Sequence, residues 1–214
     1  MPQETPLLPR LDPGQESPEA VRALVDRELV QSEAFLLIQE VYRGRVARRT
    51  GVSYLQHIED GVYVLVRLFG WRPRVVDAYC VHPIFQSDKH LARALAGELA
   101  IDVLSTDVVA LAMEYRRVAN AYISTMKPRR GAAIKLSPLA EVNAMLAADK
   151  VQNKKDFMAH LYFGADGGPK PSSLRYLEYF DSWLERLGLS AASYDRLVNE
   201  LAAVGPRNVA AAKT

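Results

Sequence analysis

The fold class is indicated most clearly by residues 53–70, whose sequence is SYLQHIEDGVYVLVRLFG. Apolar side chains recur there at steps of three or four residues, at Tyr54, Ile58, Val62, Leu65 and Phe69. That spacing places them on one face of an α-helix. Gly70 comes directly after the last of them, and glycine readily takes the left-handed conformation that ends many helices. We therefore predict a helix that begins after Ser53 and ends before Gly70.

The same periodicity continues over most of the chain. Ser17 can cap a first helix that has Pro18 at its first position, a favoured place for proline. Further helices are predicted over residues 32–48, 73–82, 91–104, 106–126, 138–163, 172–187 and 191–204. No segment alternates with the period of two that marks a β-strand, and no repeat or linker divides the chain. The sequence thus predicts an all-α protein with one helical domain over residues 17–204, a disordered lead-in at 1–16 and a flexible tail at 205–214.

Pro83 interrupts the apolar helix that is predicted to start at Pro73. Proline has no amide hydrogen to donate, and it disfavours the helical conformation in the residue before it. We therefore expect this helix to end or kink at His82.

Charge and composition narrow the functional classes. The 214 residues include 27 Lys and Arg against 25 Asp and Glu, and the net charge of +2 argues against a nucleic-acid-binding protein. A basic stretch at residues 127–135 can meet a phosphate group or simply connect two helices.

No run reaches the roughly 20 apolar residues of a membrane span, and the N-terminus lacks a signal-peptide pattern. The single cysteine, Cys80, cannot form an intramolecular disulfide and is expected to be a buried small residue. These observations together lead us to expect a cytoplasmic protein, and the sequence does not indicate its oligomeric state.

Three side chains stand out as candidate metal ligands. His57 and His82 lie in apolar helical surroundings, and Asp149 is a carboxylate in an otherwise apolar stretch. A buried carboxylate costs several kcal/mol unless a cation lies near it. Two neutral imidazoles and one carboxylate form an open ligand set that suits Fe(II), Mn(II) or Zn(II). The competing interpretation is that each histidine is a hydrogen-bonded core residue and that Lys150 neutralises Asp149 without any metal.

Three segments resemble, in order and approximate spacing, motifs of the HD-domain alarmone hydrolases of the RelA/SpoT kind. The first is RRTGVSYLQH at residues 48–57, similar to Arg-Lys-Ser-Gly-x-x-Tyr-x-x-His. The second is AYCVHPIFQSD at residues 78–88, where that family has Ala-x-Leu-Leu-His-Asp-x-x-Glu-Asp. The third is LAADKVQN at residues 146–153, similar to Leu-Ala-Asp-Lys/Arg-Leu-x-Asn. The resemblance spans roughly residues 32–187.

The resemblance implies an HD-domain-like helical bundle that holds a divalent metal ion: Mn, Fe or Zn. It implies that His57, His82 and Asp149 are the metal ligands. It also implies that Arg48 contacts the substrate and that Asn153 binds a ribose or an ordered water. The expected partner is an anionic or phosphorylated small molecule, such as a nucleotide-like ligand.

The chain departs from the family pattern at three neighbouring positions. Pro83 stands where the family has the aspartate paired with the histidine, and proline has no group that can coordinate a metal. Gln86 and Ser87 replace a Glu-Asp pair that activates the attacking water, a role typically worth about 10²–10⁴ in rate. Asp88 or His90 can replace that acid only if the local backbone is displaced.

These observations predict a metal-dependent, hydrolase-like enzyme with Gln86, Asp88 and Asn153 as candidate catalytic residues. The alternatives on the same scaffold are a lyase or an Fe-dependent oxidase. A further alternative is a non-catalytic module that senses a ligand or binds a protein, in which His57 and Asp149 form a plain hydrogen bond.

Overall fold

The protein is described by a computed structural model covering residues 16–48, 50–123, 134–164, 167–170 and 172–206. The predicted lead-in and tail lie outside the described residues, apart from residue 16 and residues 205–206. Of the basic stretch at 127–135, only the last two residues are described.

The predicted all-α class is confirmed. The helices are α1 (Pro18–Leu29), α2 (Glu33–Tyr42), α3 (Tyr54–Phe69), α4 (Pro73–Gln86), α5 (Asp88–Leu95), α6 (Thr106–Ile123), α7 (Ala140–His160), α8 (Ser173–Arg186) and α9 (Ala191–Val204), with a 3-10 helix at Ile101–Val103. Within the described ranges, β-pairing is limited to isolated bridges that join Val46 to Ser53 and Phe163 to Pro169. No described helix is both long enough and apolar enough to cross a membrane.

Local capping explains the helix ends that the sequence predicted correctly. The Ser17 hydroxyl accepts a hydrogen bond from the amide of Ala20 and fixes the start of α1. Helix α3 ends at Gly70, whose φ of 77° lies in the left-handed region.

Two predicted helices are longer than the observed ones. Helix α2 ends at Tyr42 rather than at residue 48, because the chain turns at Gly44, where φ is 68°. The stretch predicted as one helix over 91–104 is divided: α5 begins at Asp88, where the Ser87 hydroxyl accepts from the His90 amide, and the 3-10 helix follows. Turn geometry ended the periodic pattern in both places.

Of the two expectations at His82, that the fourth helix ends there is wrong, because α4 continues through Pro83 to Gln86. A proline at position 83 leaves the Tyr79 carbonyl without its usual amide donor four residues later. The His82 ring donates to that carbonyl instead, with Nδ1 2.5 Å from the Tyr79 oxygen. The side chain before the proline therefore replaces the hydrogen bond that the proline removes.

Helix α4 lies at the centre of the structure and packs against α2, α3, α6 and α7. Its apolar residues are buried nearly all round, and Cys80 is fully buried as predicted. Helix α7 packs in turn against α3, α6 and α8. This arrangement brings together the segments of α3, α4 and α7 that carry His57, His82 and Asp149.

Candidate metal centre

The three predicted ligands converge although they are far apart in sequence. The Nε2 atom of His57 lies 3.7 Å from Oδ1 of Asp149, and the Nε2 atom of His82 lies 3.8 Å from the same oxygen. The three ligand atoms all lie within 4.8 Å of one another. Ligand bonds of about 2.0–2.2 Å place donor atoms roughly 3–3.5 Å apart around an ion. The cluster can therefore hold a metal ion once the donor atoms close in, by a few tenths of an ångström between each imidazole and Asp149 and by up to roughly 1.5 Å between the two imidazoles.

The other nitrogen of each imidazole also faces an oxygen. His82 donates through Nδ1 to the Tyr79 carbonyl, which leaves its Nε2 lone pair directed to the cluster. The Nδ1 atom of His57 lies 3.5 Å from Oδ2 of Asp156. Metal-bound histidines almost always have such a partner, because it fixes the tautomer and the ring orientation.

Burial and neighbouring charges give the two histidines opposite protonation preferences. Burial lowers the pKa of His57, but hydrogen bonds to Asp149 and Asp156 outweigh it and raise the pKa to about 9. Burial dominates at His82 and lowers its pKa to about 4. Burial raises the pKa of Asp149, yet Lys150 and the two histidines outweigh it, so this pKa lies well below its usual range. Without a metal, His57 is therefore the protonated imidazole beside an ionised Asp149.

Lys150 does pair with Asp149, as the competing interpretation requires. Its Nζ atom lies 2.7 Å from Oδ2 of Asp149, and the lysine is 2% exposed. The ammonium group also lies 5.4 Å from the ring centre of Trp183. The imidazoles face Oδ1 and the ammonium binds Oδ2, so the two oxygens of this carboxylate have different partners.

A cleft of about 480 Å³ reaches the cluster at His57. Asn153 and Asp156 line it on α7, and aromatic side chains of α7 and α8 form much of its wall. Its lining residues are Ala47, Thr50, Val52, Ser53, Tyr54, His57, Asn153, Asp156, Phe157, Leu161, Lys170, Ser172, Ser173, Tyr176 and Phe180. His82 and Asp149 lie deeper, with side-chain exposures of 3% and 5% against 18% for His57. Of the three clustered side chains, His57 is the one that borders the cleft.

The other predicted site residues lie elsewhere, apart from Asn153. Arg48 is exposed in the turn before α3 and does not line the cleft. Arg116 donates to the backbone carbonyl of Gln86 and to the carboxylate of Asp88, which is itself exposed. Neither Gln86 nor Asp88 lines the cleft. The structure therefore does not bring these two side chains to the cleft at His57.

His90 also has a different environment from the cluster. Its Nδ1 atom lies 2.9 Å from the Tyr42 hydroxyl, and the two rings pack edge to face. His90 therefore offers a histidine control outside the centre.

Three residues beside the centre were not found from the sequence. Asp156 lies seven residues, or about two helical turns, after Asp149, so the spacing of the acids on α7 was a usable signal. Tyr79 and Tyr115 pack on His82, with ring centres 4.9 Å and 4.7 Å from the imidazole. No sequence pattern identified the two tyrosines, because their approach depends on how α4 and α6 pack.

Comparison with protein-family models, with curated proteins and with solved structures finds no match.

Proposed function

We propose that this protein binds one divalent metal ion through His57, His82 and Asp149 and acts on a small anionic or phosphorylated molecule as a hydrolase-like enzyme. The observation that carries the proposal is the paired orientation of the imidazoles. Both direct Nε2 at Oδ1 of Asp149, and the Nδ1 atom of each faces an oxygen. A hydrogen-bonded core histidine needs only one oxygen partner. A metal-ligand histidine needs one nitrogen directed at the metal position and a partner for the other nitrogen, and both histidines have this arrangement.

The ion would supply Lewis-acid chemistry at an oxygen of the substrate or of water. The chain provides the surroundings for this chemistry. His57 borders the cleft, while His82 and Asp149 are excluded from solvent, so the cluster is approached from one side. Asp156 holds the His57 ring, and Asn153 presents an amide to the same cleft.

The cleft lining supports a small ligand with an anionic group. Lys170 and the hydroxyls of Thr50 and Ser53 offer a positive charge and hydrogen-bond donors at its walls. Phe157 and Phe180 pack together there, with ring centres 5.6 Å apart, and provide apolar surface for the remainder of the ligand. Membership of the HD-domain superfamily is part of this proposal; it rests on the three sequence motifs and is supported by the all-α fold and the convergence of the ligands.

The second candidate is a ligand-binding module without a metal, and it is favoured by a single contact. The 2.7 Å ion pair of Lys150 with Asp149 already neutralises the buried carboxylate. In that case His57 and Asp149 form a plain hydrogen-bonded pair, with Nε2 and Oδ1 3.7 Å apart.

Metal analysis of protein purified without a histidine tag separates the two candidates. We expect about one equivalent of Mn, Fe or Zn after reconstitution, because a ligand set of this kind retains metal. His82→Ala should abolish retention, whereas His90→Ala, which alters the histidine bonded to Tyr42, should leave it unchanged. Less than about a tenth of an equivalent in the reconstituted wild type would contradict the metal proposal.

The identity of the retained metal then directs the search for the reaction. Iron held by two histidines and one carboxylate is typical of oxygenase sites, whereas Mn or Zn favours hydrolysis. A panel of nucleotides and small phosphorylated compounds, tested for thermal stabilisation of the metal-loaded protein, identifies the ligand class because binding raises the melting temperature.

A further inference from the structure

One wall of the cleft beside the proposed centre is aromatic. Phe157 on α7 and Tyr176 and Phe180 on α8 all line the cleft. The ring centre of Phe157 lies 5.7 Å from that of Tyr176 and 5.6 Å from that of Phe180, so the three rings form one continuous surface. Phe157 is buried, whereas the two α8 residues are half-buried and border the open space. This aromatic wall therefore offers a surface on which a planar ring can pack.

The aromatic wall begins close to the proposed metal ligands. Lys154 on α7 pairs at 2.7 Å with Asp181, the residue after Phe180, so Phe180 lies roughly level with this part of α7. Lys154 comes five residues after Asp149, which corresponds to a rise of about 7–8 Å along the helix. An anionic group at the ion and a ring packed on Phe180 must therefore be close neighbours in one molecule, with few atoms between them.

The charged groups of the cleft suit an anion. Lys170 lines the cleft, and no carboxylate among the described residues forms an ion pair with it. The carboxylate of Asp156, which also lines the cleft, already pairs with Lys155 and faces His57. A divalent ion at the neighbouring ligands would add further positive charge. Because opposite charges attract more strongly where water is largely excluded, an anionic group is favoured at this end of the cleft.

We infer that the ligand of this cleft is a small anion whose aromatic ring is bonded directly, or through one carbon atom, to the metal-binding group, as in an aryl phosphate. The ring packs on Phe180 and the anionic group faces the ion at His57. This inference rests on the proposed function, because the ion holds the anionic group. It narrows the ligand from any small anion to one with an attached ring, and it disfavours a nucleotide, in which a ribose separates the base from the phosphate.

The test compares phosphate esters by titration calorimetry on Zn-loaded protein at about pH 8, where each ester is a dianion. Phenyl phosphate should bind about tenfold more tightly than ethyl phosphate, because the ring buries apolar surface and packs edge to face with the aromatic wall. It should also bind severalfold more tightly than cyclohexyl phosphate, which has a similar size but no aromatic ring. Adenosine monophosphate should bind more weakly than phenyl phosphate.

Phe180→Leu tests the aromatic wall itself, since leucine is apolar but has no ring. It should reduce the preference for phenyl over ethyl phosphate to about threefold or less. Phe163→Leu is the matched control, because Phe163 is 52% exposed and does not line the cleft. This control should keep the wild-type preference. The comparison of esters on the wild type does not depend on the stability of any variant.

The outcomes separate this inference from the metal proposal. Equal affinities of the Zn-loaded wild type for phenyl and cyclohexyl phosphate would overturn the aromatic subsite and leave the metal centre intact. So would tighter binding of adenosine monophosphate, no binding of phenyl phosphate, or a full preference for the phenyl ester in Phe180→Leu. A reconstituted wild type that retains no Zn would overturn both proposals.

Discussion

Replacing Lys150 by methionine tests whether a metal ion and an ammonium group share one carboxylate. Lys150 is 2% exposed, and its Nζ lies 2.7 Å from Oδ2 of Asp149. Methionine keeps the length and apolar character of the side chain but removes its charge. Breaking a buried ion pair by removing one partner typically costs about 3–5 kcal/mol. Since His57 still faces the other oxygen of Asp149, we expect a loss of about 3 kcal/mol in the metal-free protein.

A bound divalent ion should recover part of that loss, because it neutralises the same carboxylate. If the loss at saturating Zn is smaller by about 1.4 kcal/mol, thermodynamic linkage requires the variant to bind Zn about tenfold more tightly. The assay is urea unfolding of both proteins with and without Zn, together with Zn affinity measured by chelator competition.

Lys154→Met on the same helix is the control for this experiment. Its ammonium group pairs at 2.7 Å with Asp181, whose side chain is 53% exposed. The exposed carboxylate limits this pair to about 1 kcal/mol or less. The ammonium group also lies 4.1 Å from the ring centre of Tyr194, which adds about 1 kcal/mol, and Zn should change neither effect. An equal loss with and without Zn in Lys150→Met, or no loss at all, would refute the idea that the ammonium group and the ion share Asp149.

Three further predictions concern the same region. Gly61→Ala should lower the free energy of unfolding by about 1–3 kcal/mol, because the added Cβ overlaps the Tyr79 ring. In a Tyr79→Leu background the same change should instead stabilise the protein by up to about 1 kcal/mol, because alanine has a higher helix propensity than glycine. Additive effects in that double-mutant cycle would show that the overlap is absent. Because the pKa of His57 is about 9 and metal binding must release its proton, the apparent Zn affinity should rise about tenfold per pH unit between roughly pH 6 and 8; a flat profile would contradict this. Asp156→Asn should weaken Zn binding about 10–100-fold in chelator competition, since it alters the partner of the His57 ring, and an unchanged affinity would remove Asp156 from the centre.

The helices were readable from the sequence where local chemistry decides them. Periodicity and capping residues located α1 and α3, because both depend on neighbours within a few positions. The sequence did not predict that α4 continues past Pro83, because the effect of proline on its neighbours is local whereas the replacement of the lost hydrogen bond is not. The His82 side chain supplies the missing donor only because its ring is held in one orientation inside the bundle.

The candidate site likewise combines features that the sequence indicates with features that only the tertiary structure decides. The apolar surroundings of His57, His82 and Asp149 made them candidate ligands in the sequence alone, and the resemblance to a known family implied the same three residues. Only the tertiary structure decided that Lys150 takes the second oxygen of Asp149, that Asp156 holds His57, and that Arg116 bonds the Gln86 carbonyl and the Asp88 carboxylate. The physical reason is that helix formation is set by contacts within a turn or two, whereas ligand geometry is set by how α3, α4 and α7 pack across gaps of dozens of residues.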